Sequence, residues 1–99
     1  MNVESITNSG AFSVLTLGER QLKGSGLKGV IAIDKGTTDV TLQGSLDNST
    51  FYNIETFTAD TLKEITLVPY LRVNGDATGS AATIDTTTVK LFFHSGSHA

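Results

Sequence analysis

The sequence predicts an all-β chain: a single antiparallel β-sandwich or small jelly-roll-like barrel of about seven strands. Three observations carry that expectation. Threonine is the commonest residue and charged residues make up only 17% of the chain, a balance that favours sheet over helix. Turn signals recur about every ten residues, the spacing of short antiparallel strands. Between Thr38 and Thr58, two alternating runs flank an Asp-Asn turn, and a β-hairpin is the simplest reading of them.

Taken in order, residues 1–10 are polar and end in the turn signal Asn8-Ser9-Gly10. They read as an arm outside the domain, with Asn2, Val3 and Ile6 as the residues that would dock on a partner. Ala11 to Leu17 reads as the first strand, and Gly18 to Gln21 as a turn. Gly24-Ser25-Gly26-Leu27-Lys28-Gly29 has the glycine spacing of a dinucleotide-binding loop. That motif works only where it follows a strand and opens a helix whose amides receive the pyrophosphate. Here the glycines precede Val30-Ile31-Ala32-Ile33, a β-branched strand, so they read as an inter-strand loop.

In the central hairpin Val40 and Leu42 alternate with Thr41 and Gln43, the period of a strand with one buried face. Gly44 ends the alternation, and Phe51 and Tyr52 open the returning strand. Thr58 to Glu64 is the one passage with helix-friendly residues, long enough only for about a turn of helix. Ile65 to Val68 reads as a strand interrupted by Pro69, which belongs at an edge or a strand junction. Tyr70 to Val73 resumes with Leu71 and Val73 inward and Arg72 outward; residues 74–80 form a loop. In the last strand region, Ala82 to Phe93, Ile84 and Val89 differ in parity, so a bulge or a break must intervene. Phe92 faces away from Val89 and Leu91. Residues 94–99 read as a flexible tail, which leaves 11–93 as the domain.

Composition narrows the function. A chain of 99 residues buries about 65% of its unfolded surface, enough for a core without disulfides, and it holds no cysteine. A net charge of −3 with scattered lysines and arginines argues against a nucleic-acid partner. No apolar run approaches the length needed to span a bilayer, and the N-terminus lacks the pattern of a signal peptide. Both histidines, His94 and His98, fall in the tail, where no rigid surround would hold a general base. The aspartates fall mostly in turns, where they cap backbone amides. Asn48-Ser49-Thr50 fits a glycosylation sequon, but a hairpin turn explains the same residues. The chain is therefore expected to be non-enzymatic, with no catalytic set, metal or cofactor. Of the aromatics, Phe51, Tyr52, Tyr70 and Phe92 are the candidates to surface as partner contacts.

Leu42-Gln43-Gly44-Ser45, Asp47-Asn48 and Phe51-Tyr52-Asn53-Ile54 resemble the L-Q-G-S-x-D-G-x-x-W-x-x-I hairpin of small β-sandwich proteins encoded among tailed-phage virion genes. Asp47-Asn48 stands where that pattern has Asp-Gly, and an aromatic pair replaces its tryptophan. Pro69 to Val73 and the final Thr-rich strand continue the likeness, which covers residues 38–93. The resemblance implies a virion structural role. The chain would be a capsid decoration (cement) protein or head-tail component, a homo-oligomer that binds the major capsid protein and is assembled in the host cytoplasm. A similar hairpin occurs in discoidin-type carbohydrate-binding modules, which makes a glycan- or host-surface-binding module the second expectation.

Overall fold

A computed structural model of the chain describes residues 2–8, 13–17, 28–36, 38–75, 82–84 and 87–93. All regular structure among them is strand. The strands are β1 (Asn2–Ser5), β2 (Leu15–Thr16), β3 (Lys28–Asp34), β4 (Val40–Ser45), β5 (Tyr52–Phe57), β6 (Thr61–Thr66), β7 (Tyr70–Asn74) and β8 (Thr88–Phe93). They form two antiparallel four-stranded sheets, ordered β1-β8-β3-β6 and β2-β7-β4-β5. The all-β sandwich expected from the sequence is what forms.

The order follows from one rule. β4 pairs with β5, β3 with β6, β2 with β7 and β1 with β8. The described strands thus pair as one long hairpin folded back at residues 46–51, with β4 and β5 nearest the tip and β1 and β8 farthest from it. Rolling that hairpin sends successive pairs alternately into one sheet and the other. Lateral pairing of β3 with β8 and of β4 with β7 then completes each sheet, which is the jelly-roll connection.

The core lies between the sheets. Ile31, Ile33, Ile65, Val89 and Leu91 come from one sheet, and Val40, Leu42, Phe57, Leu71 and Val73 from the other. Ile6, Leu17, Leu67 and Ile84 join them from the flanking segments. Within the strands these residues recur at every second position, so packing of that face against the opposite sheet fixes the register. Along the seam where edge strands β5 and β6 meet, Lys63 Nζ and Glu55 Oε1 form an ion pair at 2.6 Å.

Three expectations change. The N-terminal segment is seated in the sandwich: Asn2–Ser5 pairs with β8, and Ile6, expected at a partner surface, is buried in the core. The physical reason is that β8 would otherwise present an unpaired edge, which β1 covers. Asn8 then anchors the segment, its Nδ2 donating to Ala82 O at 3.0 Å while its own carbonyl accepts from Ile84 N at 3.2 Å. The helix-friendly passage is also a strand. Thr61–Thr66 pairs along β3, where β-branched Thr61, Ile65 and Thr66 fit the pleat and tertiary pairing overrides a weak local preference. Of the described residues of the expected first strand, 13–17, Leu15–Thr16 pairs, against β7.

Other readings stand. A strand and not a helix follows the glycine motif; residues 24–27 of the expected loop lie outside the described residues, and its last two, Lys28 and Gly29, belong to β3, where a Cβ added at Gly29 would come 2.9 Å from Leu67 Cδ2 and 3.0 Å from the Phe92 carbonyl oxygen. Pro69 stands at the junction between β6 and β7, Leu71 and Val73 point inward, and β8 begins only at Thr88, beyond the buried Ile84. The expected turn at 18–21, the tail at 94–99, and Phe12, Asp76 and Asp85 lie outside the described residues.

Candidate partner-contact site at the hairpin tip

The hairpin tip is held by its own hydrogen bonds. Buried Ser45 Oγ accepts from the backbone amides of Asp47 (3.2 Å) and Asn48 (2.9 Å) and donates to Asp47 Oδ1 at 2.9 Å. The same Asp47 oxygen accepts the amides of Ser49 at 2.8 Å and Thr50 at 2.9 Å. These donors, the Thr50 and Ser49 amides foremost, hold the Asp47 carboxyl below its ordinary pKa. Asn48 takes a φ of 61°, the left-handed region that Gly adopts freely and Asn tolerates best among the other residues. The local capping role expected of the turn aspartates is seen here.

Beyond the turn, the register of β4 on β5 shifts. Leu42 faces Glu55 but Gln43 faces Asn53, which leaves Ile54 as an extra, bulged residue. The bulge reverses the parity of β5: Asn53 turns outward onto Gln43, and Tyr52 comes opposite Gly44 at the mouth of the sandwich. There Gly44, Ser45, Leu46, Tyr52, Ile54 and Val68 line an almost wholly apolar depression of about 220 Å³. Its floor is Gly44, where an added Cβ would lie 2.8 Å from both Ile54 Cδ1 and Val68 Cγ2. Its rim is exposed: Leu46 keeps 79% of its surface, Tyr52 69% and Ile54 45%. Three large apolar side chains gathered at one end of a small domain make a patch that calls for a partner.

The outer face of the same sheet is polar and internally paired. Thr41 and Thr56 share a hydroxyl hydrogen bond of 3.0 Å, and Gln43 Nε2 donates to Asn53 Oδ1 at 2.8 Å. Gln43 Oε1 in turn accepts from Arg72 Nε at 2.7 Å. This ladder explains how β4 is buried along its whole length while carrying Thr41, Gln43 and Ser45.

The sequence-derived contact residues therefore fall in different places. Tyr52 is exposed on the apolar depression, whereas Phe51 is half-buried beneath Arg72. Tyr70 is half-buried between Ser45 and Thr16 in the register of β7. Phe92 is half-buried on the outer face of the other sheet. Asn2 and Val3 occupy β1 positions opposite Phe93 and Phe92; their side chains lie outside what is described. The reading of the sequence missed Gly44, Leu46, Ile54 and Val68. Leu46 carried a usable signal, being the lone apolar residue in a turn of Ser, Asp, Asn and Thr. The bulge that recruits Ile54 left no such mark.

Among the described residues, no group of three or more His, Cys, Asp or Glu side chains could hold a metal ion. No protein family, no curated protein and no solved structure matches this chain.

Proposed function

We propose that the chain is a non-enzymatic structural protein of a phage virion, a capsid decoration (cement) protein that binds the major capsid protein lattice as an oligomer. The observation that carries this reading is the hairpin tip. A turn stiffened by Ser45 and Asp47 projects Leu46, Tyr52 and Ile54 around a depression the size of one or two apolar side chains. The resemblance of the same hairpin to phage virion proteins supports it. Such a site suits insertion of a leucine, proline or aromatic residue from a neighbouring protein. Each contact is weak, and lattice symmetry multiplies it.

A glycan-binding module would present polar groups converging beside an exposed ring. Tyr52 supplies the ring, but the polar lining is Ser45, whose hydroxyl is already engaged in the turn. The geometry favours a protein partner. Mass spectrometry of purified particles of the phage that encodes the chain is the test. The chain is expected in many copies per particle, and its absence from particles would overturn the proposal.

A further inference from the structure

We infer that the outer face of the β1-β8-β3-β6 sheet is a self-association surface, on which a second copy of this chain packs about a two-fold axis crossing β3 between Val30 and Ala32. This names the face for the oligomer proposed above, yet it stands on residues of the other sheet and needs no virion.

The argument begins with alternation along β3. Gly29, Ile31 and Ile33 face the core, so Lys28, Val30, Ala32 and Asp34 face outward, about 6.8 Å apart. In order they are a cation, a large apolar group, a small apolar group and an anion. Reversing the strand exchanges the ends and leaves the pattern complementary to itself, which an isologous interface requires. In two antiparallel copies laid face to face, each Lys28 meets the second copy's Asp34, and each Val30 meets the second copy's Ala32.

The surface has the relief for that fit. Val30 is 36% exposed, and the small side chain of Ala32 opens a depression of about 270 Å³ bordered by Asp34, Thr61, Thr88 and Lys90. Val30 of the second copy fills it. On the flanking strands, the register places Phe92 and Glu64 beside Val30, and Lys90 and Leu62 beside Ala32. The same two-fold therefore sets Lys90 over the second copy's Phe92, an ammonium over an aromatic face. It also sets Glu64 over the second copy's Leu62, which is 72% exposed in the single chain, so that only the glutamate's methylene groups cover it. The four charges, Lys28, Asp34, Glu64 and Lys90, sum to zero, so two copies meet without net repulsion. Lys28 Nζ donates to Thr66 Oγ1 at 3.1 Å, an exposed bond that gives way to a carboxylate at little cost.

Twist also favours this placing of the axis. Stacked sheets keep their register near the axis and lose it outward, and the self-complementary row lies on the strand the axis crosses. A four-stranded face of this length offers only about 300 Å² of flat area per copy, so the dimer is weak, with a Kd on the order of micromolar or above.

Sedimentation of the full chain from about 1 µM to 1 mM tests the inference. A monomer–dimer equilibrium is expected. Asp34→Lys, and separately Lys28→Asp, should each weaken it by about tenfold or more, because symmetry converts two attractive pairs into two repulsive ones. Combining the two changes should restore the dimer to within about threefold of the original, since the pairs are re-formed with sides exchanged. Far-ultraviolet circular dichroism confirms that each variant is folded. A chain monomeric throughout that range, a dimer indifferent to the single reversals, or a double variant that does not recover overturns the inference. None of these outcomes bears on particle content, so the two proposals fail separately.

Discussion

The Arg72 guanidinium carbon lies 3.9 Å from the centre of the Phe51 ring, while its Nε donates to Gln43 Oε1 at 2.7 Å. One side chain thus ties β7 to β4 and to the residue that leads out of the hairpin turn. Gln43 is buried, and its amide is spent on Arg72 and Asn53 together. The sheet that carries the tip is thus braced from its outer face.

Arg72→Lys is expected to lower the melting temperature by about 4–8 °C, which corresponds to about 1 kcal/mol in a domain of this size. Lysine keeps the charge but loses the planar stack on Phe51 and the directed bond to Gln43. Arg72→Ala should cost more, about 1–3 kcal/mol, by leaving a buried acceptor unpaired. Differential scanning calorimetry of the two variants gives the order.

Asn74 is fully buried, and its Oδ1 accepts from Ala82 N at 2.8 Å and from Asn8 Nδ2 at 3.4 Å. It ties the end of β7 to the segment that follows β1. Asn74→Leu takes the acceptor from the Ala82 amide, while Asn8 Nδ2 keeps its bond to Ala82 O, and should cost about 1–3 kcal/mol, more than most substitutions at the surface. Urea unfolding measures this; a loss below 1 kcal/mol would show that water or other groups replace the amide.

The Asp47 carboxyl has a pKa lowered from the ordinary 3.8, by the amides of Thr50 and Ser49 first and the Ser45 hydroxyl next. A group whose folded pKa lies below its unfolded value stabilises fully above the unfolded value. That contribution fades as pH falls through about 3.8 toward the lower folded value. Asp47→Asn should therefore melt below the parent chain at pH 7, and the gap should close as pH drops below 4. Melting curves from pH 7 to pH 2 test the sign; a gap that widens in acid is the opposite of what this geometry requires.

Much of this was legible beforehand, and the reasons are physical. Val40, Leu42, Leu71, Val73, Val89 and Leu91 recur at every second position of their strands, and packing of that face against the opposite sheet then dictates both strand and face. The hairpin at 38–58 was visible from its turn chemistry, and the whole jelly roll proves to be its extension, since every later pairing continues the same fold-back. What was not legible depends on partners far along the chain. Asn2–Ser5 carries no strand signature of its own and pairs only because β8 offers an edge. Thr61–Glu64 is locally ambiguous until β3 arrives beside it. Tyr52 was visible as a contact candidate, but the depression around it arises from the Ile54 bulge and the β6–β7 connection, neither of which a local pattern encodes.

Two glycines separate packing from strain. At Gly75 an added Cβ would meet the backbone oxygen of Thr83 at 2.6 Å and that of Ala82 at 3.2 Å, and neither can step aside without breaking the Gly75 N to Ala82 O bond of 3.0 Å. At Gly44 the obstacles are the Ile54 and Val68 side chains, and Ile54 can rotate outward. Gly75→Ala should cost about 3 kcal/mol and Gly44→Ala nearer 1 kcal/mol. Chemical denaturation of both variants ranks them, and the reverse order would refute this account of the two sites.

The tip itself is tested by substitutions that leave the fold alone. Leu46 and Tyr52 are mostly exposed, so Leu46→Asp and Tyr52→Ser should change stability by no more than about 0.5 kcal/mol. A charge at 46 nevertheless lies on the rim of the apolar depression, where a partner's side chain would have to bury it. Loss of one such anchor weakens a contact by about 1–2 kcal/mol, or about fivefold to thirtyfold. Occupancy on particles lacking the native protein should fall accordingly for Leu46→Asp, and in the same direction for Gly44→Ala, whose added methyl fills the floor of the depression. Glycan-array binding by the parent chain that vanishes with Tyr52→Ser, while particle occupancy stays unchanged in all three variants, would move the site from protein docking to sugar stacking.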